Sequence, residues 1–225
     1  MIPLVHDFDG EVVLIFGGGA VGARKARRFA REARVVVVSP AFADADFRGS
    51  EFVRAAPGAA DVPAWLDAAD PALVVAATDD DALNAAIERQ AAERDILVNR
   101  ADRSARADRG VRSVVVPATV EDGPVGVAVT TSGRSPAVSR HLRRELEAVV
   151  DGAGLVATVV GDLRTELKAR PVGTERRRDA IRAIADSPAV WAAAREAGTE
   201  ASVRDAADEV LSSVLDGEAD EHEDA

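Results

Sequence analysis

Residues 17–22, GGGAVG, place Gly17, Gly19 and Gly22 in a G-x-G-x-x-G pattern between an apolar run, EVVLIF, and an arginine-rich stretch, ARKARRFARE. The three glycines serve different physical ends: a tight turn, close approach of bare backbone to a pyrophosphate, and close packing of helix on strand. The helix start behind them offers free N–H groups and a partial positive charge to phosphates. The pattern is weak in isolation, but opening a strand–turn–helix unit it reads as a dinucleotide loop. One part of that fingerprint is missing. An acid should end the second strand to hold the adenosine ribose, yet RVVVVSP ends in Ser39, whose hydroxyl is a weaker ribose ligand. No arginine stands beside Ser39 in the sequence to favour a 2′-phosphate, so NAD is expected over NADP.

A second pattern is VVAATDDDALN, residues 74–84, in which a strand runs straight into Asp79, Asp80 and Asp81. Ligands of open parallel sheets bind at the carboxyl ends of the strands, so Thr78 at this tip is a candidate cofactor contact. The aspartates read as a helix start, with Asp79 or Asp80 as cap and acids in the first turn meeting the helix dipole. A metal site would need further ligands converging by spacing, and none is evident. A third tip, LVNRAD, carries Asp102 just beyond another strand, facing the same crevice; a solvated loop aspartate and a catalytic carboxylate are both open readings of it.

The elements that must position these residues alternate. EVVLIF, RVVVVSP (stopped by Pro40), EFVRAA, ALVVAAT and DILVN read as strands, with helices after the first, near VPAWLDAA and over DDALNAAIERQAAE. Alternation over about 100 residues specifies a parallel sheet covered on both faces, an α/β Rossmann-type domain. SVVVPATVEDGPVGVAVTT then reads as an antiparallel hairpin turning at EDGP. SPAVSRHLRRELEAVV reads as a helix with Ser135 as cap and Pro136 in its first turn. After DGAG everything to about Leu215 is helical in pattern. The expected division is a Rossmann domain over 1–112, a β-hairpin/helix module over 113–150, a small all-helical domain over 151–216 and a disordered acidic tail over 217–225.

Composition narrows the function. The 225 residues include no cysteine, which removes disulfides, thiolate metal sites and a cysteine nucleophile. A net charge of −11 opposes nucleic acid as a partner. No apolar run reaches the length of a membrane span, and MIPLVHDFDG has no secretion-signal character, so a cytoplasmic protein is expected. Abundant Asp, Ala and Val, with Lys25 and Lys168 the only lysines, suggest solubility in concentrated salt, a halophilic protein.

The motifs GGGAVGARKA, AATDDDALN, VNRAD, VVVPA and VAVTTSGRSPAVSRHLR stand in the order and spacing of the precorrin-2 dehydrogenase family, the N-terminal part of siroheme synthases. The chain resembles that family from about Leu4 to Glu147; no methyltransferase region follows, so a stand-alone enzyme is expected. The resemblance implies NAD-dependent oxidation of precorrin-2 to sirohydrochlorin in siroheme (porphyrin) biosynthesis and, in some members, ferrous iron insertion at the same site, a ferrochelatase (lyase) activity. It puts the family's essential aspartate on Asp102, cofactor contacts on Ala20, Val21, Pro40 and Ala41, and a homodimer interface on the segment matching Ser113–Val150. A family serine that is modified in some members matches Thr131, and Ser132 falls in the adjoining loop. Two positions depart from the pattern: the usual SGG-x-SP reads TSGRSP, which introduces Arg134, and Arg100 stands where a small apolar residue is common.

Precorrin-2 is a polycarboxylate, so an acidic protein must gather positive charge to bind it. Arg24, Arg28 and Arg31, with Lys25 and Arg27, form one cluster on the first helix, and Arg134, Arg140, Arg143 and Arg144 form another. Arginine suits bidentate carboxylate binding. From these the candidate substrate contacts are Arg24, Lys25, Arg28, Thr131, Ser132, Arg134 and Arg140; His141 reads as an ordinary surface residue. Two other functions share part of the pattern: a nucleotide-sensing regulatory module of a potassium transport system, and a different small NAD-dependent oxidoreductase.

Overall fold

A computed structural model describes residues 3–101 and 112–216; Asp102 and the acidic tail lie outside the described residues. The described chain forms two compact units. One runs to Val116 and includes Ser132–Ser135; the other comprises Pro117–Thr131 and the chain from Pro136 onward.

The first unit is a five-stranded sheet in the order β3-β2-β1-β4-β5, parallel throughout. Its elements are β1 (Val12–Gly18), α1 (Ala20–Phe29), β2 (Arg34–Phe42), β3 (Glu51–Arg54), α2 (Val62–Ala69), β4 (Leu73–Ala76), α3 (Asp81–Glu93) and β5 (Leu97–Arg100). The central strands are apolar without alternation because both faces are covered. Val13, Ile15, Val35, Val37, Leu73 and Val75 pack with Ala23, Ala26 and Phe29 of α1 on one face. Leu14, Phe16, Val38, Val74 and Ala76 pack with Leu66 of α2 and Leu83, Ala86 and Ile87 of α3 on the other. The Rossmann-type expectation holds. Because β2 and β4 flank β1 while the chain leaves in opposite directions from β1 and β4, the sheet has its switch point between those two strands, where such folds open a ligand crevice.

Three expected boundaries are corrected. β2 does not stop at Pro40 but continues to Phe42. Pairing with β3 ends at Ser39, and β1 resumes contact only at Phe42 after a register shift, so the N–H that proline lacks is not required by the ladder. Arg31 falls outside α1, which ends at Phe29. The expected strand from Ser113 starts only at Ala118; Ser113 instead makes an isolated parallel bridge to Val98, extending the edge of the first sheet.

In the second unit β6 (Ala118–Asp122) and β7 (Val125–Val129) form the antiparallel hairpin, turning at Gly123 and Pro124. The helix α4 (Pro136–Val150) starts at Pro136 as its sequence predicts. Asp122 Oδ2 accepts a hydrogen bond from Gly154 N at 2.9 Å, joining the hairpin to the start of α5 (Ala153–Ala169). A side chain at Gly154 would break this junction, because its Cβ would fall 2.6 Å from the Asp122 carbonyl oxygen. α5 packs with α6 (Thr174–Asp186), α7 (Pro188–Glu196) and α8 (Glu200–Asp216) around Val159, Leu163, Ile184, Val190, Val203 and Leu211, so the C-terminal region is helical as expected. Arg204 on α8 grips Glu166 on α5 through two bonds of 2.8 and 2.7 Å. Among the described residues no helix is long and apolar enough to cross a membrane.

Candidate active site

The glycine loop joins β1 to α1 at the switch point. Gly17 has φ +112°, and a Cβ there would lie 2.2 Å from the Ala77 carbonyl oxygen at the end of β4. A Cβ on Gly22 would lie 1.9 Å from the Gly17 carbonyl oxygen, and one on Gly18 would lie 2.4 Å from that of Ala41. These three positions are closed by backbone. Gly19 differs, because a Cβ there would meet none of the described residues within 4 Å. It precedes α1 without any side-chain cap, the first turn of α1 carries no acid, and Ala20 and Val21 are exposed. Bare backbone facing open space, followed by uncapped N–H groups and no competing negative charge, fits a dinucleotide pyrophosphate.

Across the switch point, Thr78 is half-buried and tied to Asn84, which is fully buried on α3. Asn84 Oδ1 accepts from Thr78 Oγ1 at 2.8 Å, and Asn84 Nδ2 donates to the Thr78 carbonyl at 2.9 Å. Asp80 caps α3, its Oδ1 accepting from Ala82 N at 2.8 Å and Leu83 N at 3.0 Å. The aspartate run is therefore a helix start, as its sequence predicts. Asn84 is a residue that sequence reasoning misses; its signal is a polar side chain standing within the apolar register of Leu83, Ala86 and Ile87.

At the end of β2, Ser39 is buried and its Oγ donates to the Ala41 carbonyl at 2.7 Å, while Pro40 and Ala41 are exposed. The expectation that no arginine stands beside Ser39 is corrected. Arg54 is its register partner on β3, donating to the Pro40 carbonyl at 3.0 Å and lying 5.5 Å from the Phe42 ring centroid. Pairing between distant strands, which linear sequence does not display, brings it there.

On α1, Arg24 is exposed and Lys25 and Arg28 are half-buried. Burial first, and the neighbouring charges of Arg24 and Arg28 second, lower the Lys25 pKa to about 8. At the tip of β5, Arg100 is buried and ion-paired to Glu88 of α3 at 3.2 Å, which explains how a charge replaces a small apolar residue there. Ser132 (φ +55°) and exposed Arg134 belong to the first unit. Thr131 and Arg140 belong to the second, where Thr131 Oγ1 lies 3.2 Å from Ser139 Oγ and Arg140 is exposed on α4. His141 is exposed there too.

An NAD(P)-binding family model matches residues 4–118, and the sirohaem biosynthesis protein central model matches residues 122–148. The precorrin-2 dehydrogenase of Methanosarcina barkeri (strain Fusaro / DSM 804) is 31% identical over 210 residues, covering 90% of this chain and 91% of that protein. The chain belongs to the precorrin-2 dehydrogenase family. The siroheme synthase of Sodalis glossinidius (strain morsitans) is 35% identical over 176 residues; the match covers 75% of this chain but only 35% of that longer relative. A solved precorrin-2 dehydrogenase, SirC, superimposes with a TM-score of 0.65 over 93% of this chain and 98% of its own at 20% identity, a likeness of fold. The family resemblance in the sequence is borne out, and a match along nine tenths of the chain displaces the potassium-system alternative.

Proposed function

We propose that this chain is a cytoplasmic enzyme that oxidises precorrin-2 to sirohydrochlorin with NAD, and that Asp102 is its catalytic carboxylate. The observation that carries the reading is Gly19, open to solvent at the switch point and followed by an uncapped helix, in a chain aligned over nine tenths of its length with a precorrin-2 dehydrogenase. NAD, when bound, supplies a nicotinamide ring that accepts a hydride.

The chain's residues do the rest. Gly17 and Gly22 let the loop close, and Gly19, with Ala20 and Val21 behind it, would hold the pyrophosphate; Ser39, Pro40 and Ala41 would line the adenosine side, and Thr78 the other. A hydride carries two electrons away from a C–H bond of the tetrapyrrole, and the resulting cation must lose a proton to restore conjugation. Asp102 accepts that proton, which leaves the site as the product departs. In the first unit, Arg24, Lys25, Arg28, Ser132 and Arg134 hold substrate carboxylates. The reading extends to ferrous iron insertion into sirohydrochlorin, with iron as substrate and Asp102 receiving pyrrole protons.

The functional form is a homodimer joined through residues 113–150. The hairpin β6–β7 packs through Val120, Val125 and Val127 on Leu146 and Val150 of α4. Val138, Leu142 and Val149 form an exposed apolar stripe along that helix. The stripe supports an interface there.

Asp102→Asn tests the catalytic assignment, since it keeps size and most hydrogen bonding while removing basicity. Turnover should fall by about 10²–10⁴-fold, the range for losing a positioned general base, with NAD affinity unchanged. Iron insertion should fall in the same variant. Wild-type turnover would make Asp102 an ordinary loop residue.

A further inference from the structure

Asn99 is the penultimate residue of β5 and only 6% exposed. Register pairs it with Val75, and Val75 with Ile15, so its side chain lies on the sheet face that carries α1. Asn99 Nδ2 donates to the Val114 carbonyl at 2.8 Å. That carbonyl can only accept, so turning the amide over would set two acceptors against each other. The orientation is thereby fixed, and Asn99 Oδ1 is left buried without a hydrogen-bond partner among the described residues.

Buried acceptors are normally satisfied, and an exception calls for a donor. The strand order indicates where that donor comes from. A dinucleotide with its pyrophosphate at the β1–α1 loop and its adenosine over the end of β2 extends its other half past β4 towards β5. Asn99 stands near the carboxyl end of β5. The hydrogen-bond donors of that half are the nicotinamide carboxamide and the hydroxyls of its ribose.

We infer that Asn99 is a cofactor-binding residue whose Oδ1 accepts a hydrogen bond from the nicotinamide half of NAD. The inference rests on the NAD reading above. Its backbone anchor at Val114 positions the acceptor without spending the oxygen.

Calorimetric titration of the full chain and of Asn99→Ala with NAD, ADP-ribose and ADP tests this. The variant should bind NAD about 10–100-fold more weakly, as expected for losing a hydrogen bond to a buried group, and ADP as the wild type does. A parallel loss for ADP-ribose identifies a ribose hydroxyl as the donor; a loss confined to NAD identifies the carboxamide. Unchanged NAD affinity in the variant, or equal losses for NAD and ADP in a variant that melts normally, overturns the inference. If the variant does not fold, the wild type decides: NAD must bind at least about 10-fold more tightly than ADP, and equal affinity overturns the inference. A wild-type chain that binds neither ligand would end the underlying NAD reading instead.

Discussion

A side chain at Gly17, Gly18 or Gly22 would strike backbone, whereas one at Gly19 would meet only the space a pyrophosphate needs. The difference separates two roles inside one motif: three glycines let the chain close on itself, and the fourth lets a ligand approach. Gly19→Leu should therefore leave the fold intact and abolish NAD binding, measured by calorimetry beside a thermal melt. Unchanged affinity would remove the cofactor from this loop. Arg100 shows another residue-scale solution, a cation buried at a strand tip and neutralised by Glu88 at 3.2 Å.

At the scale of elements, strands and helices were legible because hydrophobic period and glycine punctuation are local signals. The start of α3 was legible too, since an aspartate before an apolar helix has one local use, and Asp80 makes the expected cap. What escaped depends on pairing across distance. Arg54 meets Ser39 only through parallel register, Asn84 reaches back to Thr78 around a turn, and the extension of β2 past Pro40 depends on which neighbours each strand retains. Helix α1 carries its own prediction. Lys25 has its pKa lowered from 10.5 to about 8, mainly by burial and then by Arg24 and Arg28. A depressed lysine pKa means that the unfolded chain binds more protons, so the penalty is full below about pH 8 and is relieved as pH rises towards 10.5. Stability should rise across that window, and Lys25→Met should flatten the rise in urea titrations. The chain has no tyrosine to confuse the measurement. An identical slope in the variant would show that Lys25 is not desolvated.

At the scale of the whole molecule, the first unit carries the dinucleotide loop, and the second carries a two-stranded hairpin and a helix with an exposed apolar stripe. If that stripe is a dimer interface, Leu142→Asp should convert a dimer into a monomer by sedimentation analysis without unfolding either unit. A wild type that sediments as a monomer would refute the interface. The most direct test of NAD-dependent precorrin-2 oxidation supplies the wild-type chain with NAD and anaerobically prepared precorrin-2 while NADH and sirohydrochlorin are followed together by absorbance. The expected result is repeated turnover with equimolar NADH and sirohydrochlorin, and neither product with Gly19→Leu. Binding of NAD without any NADH formation would contradict it.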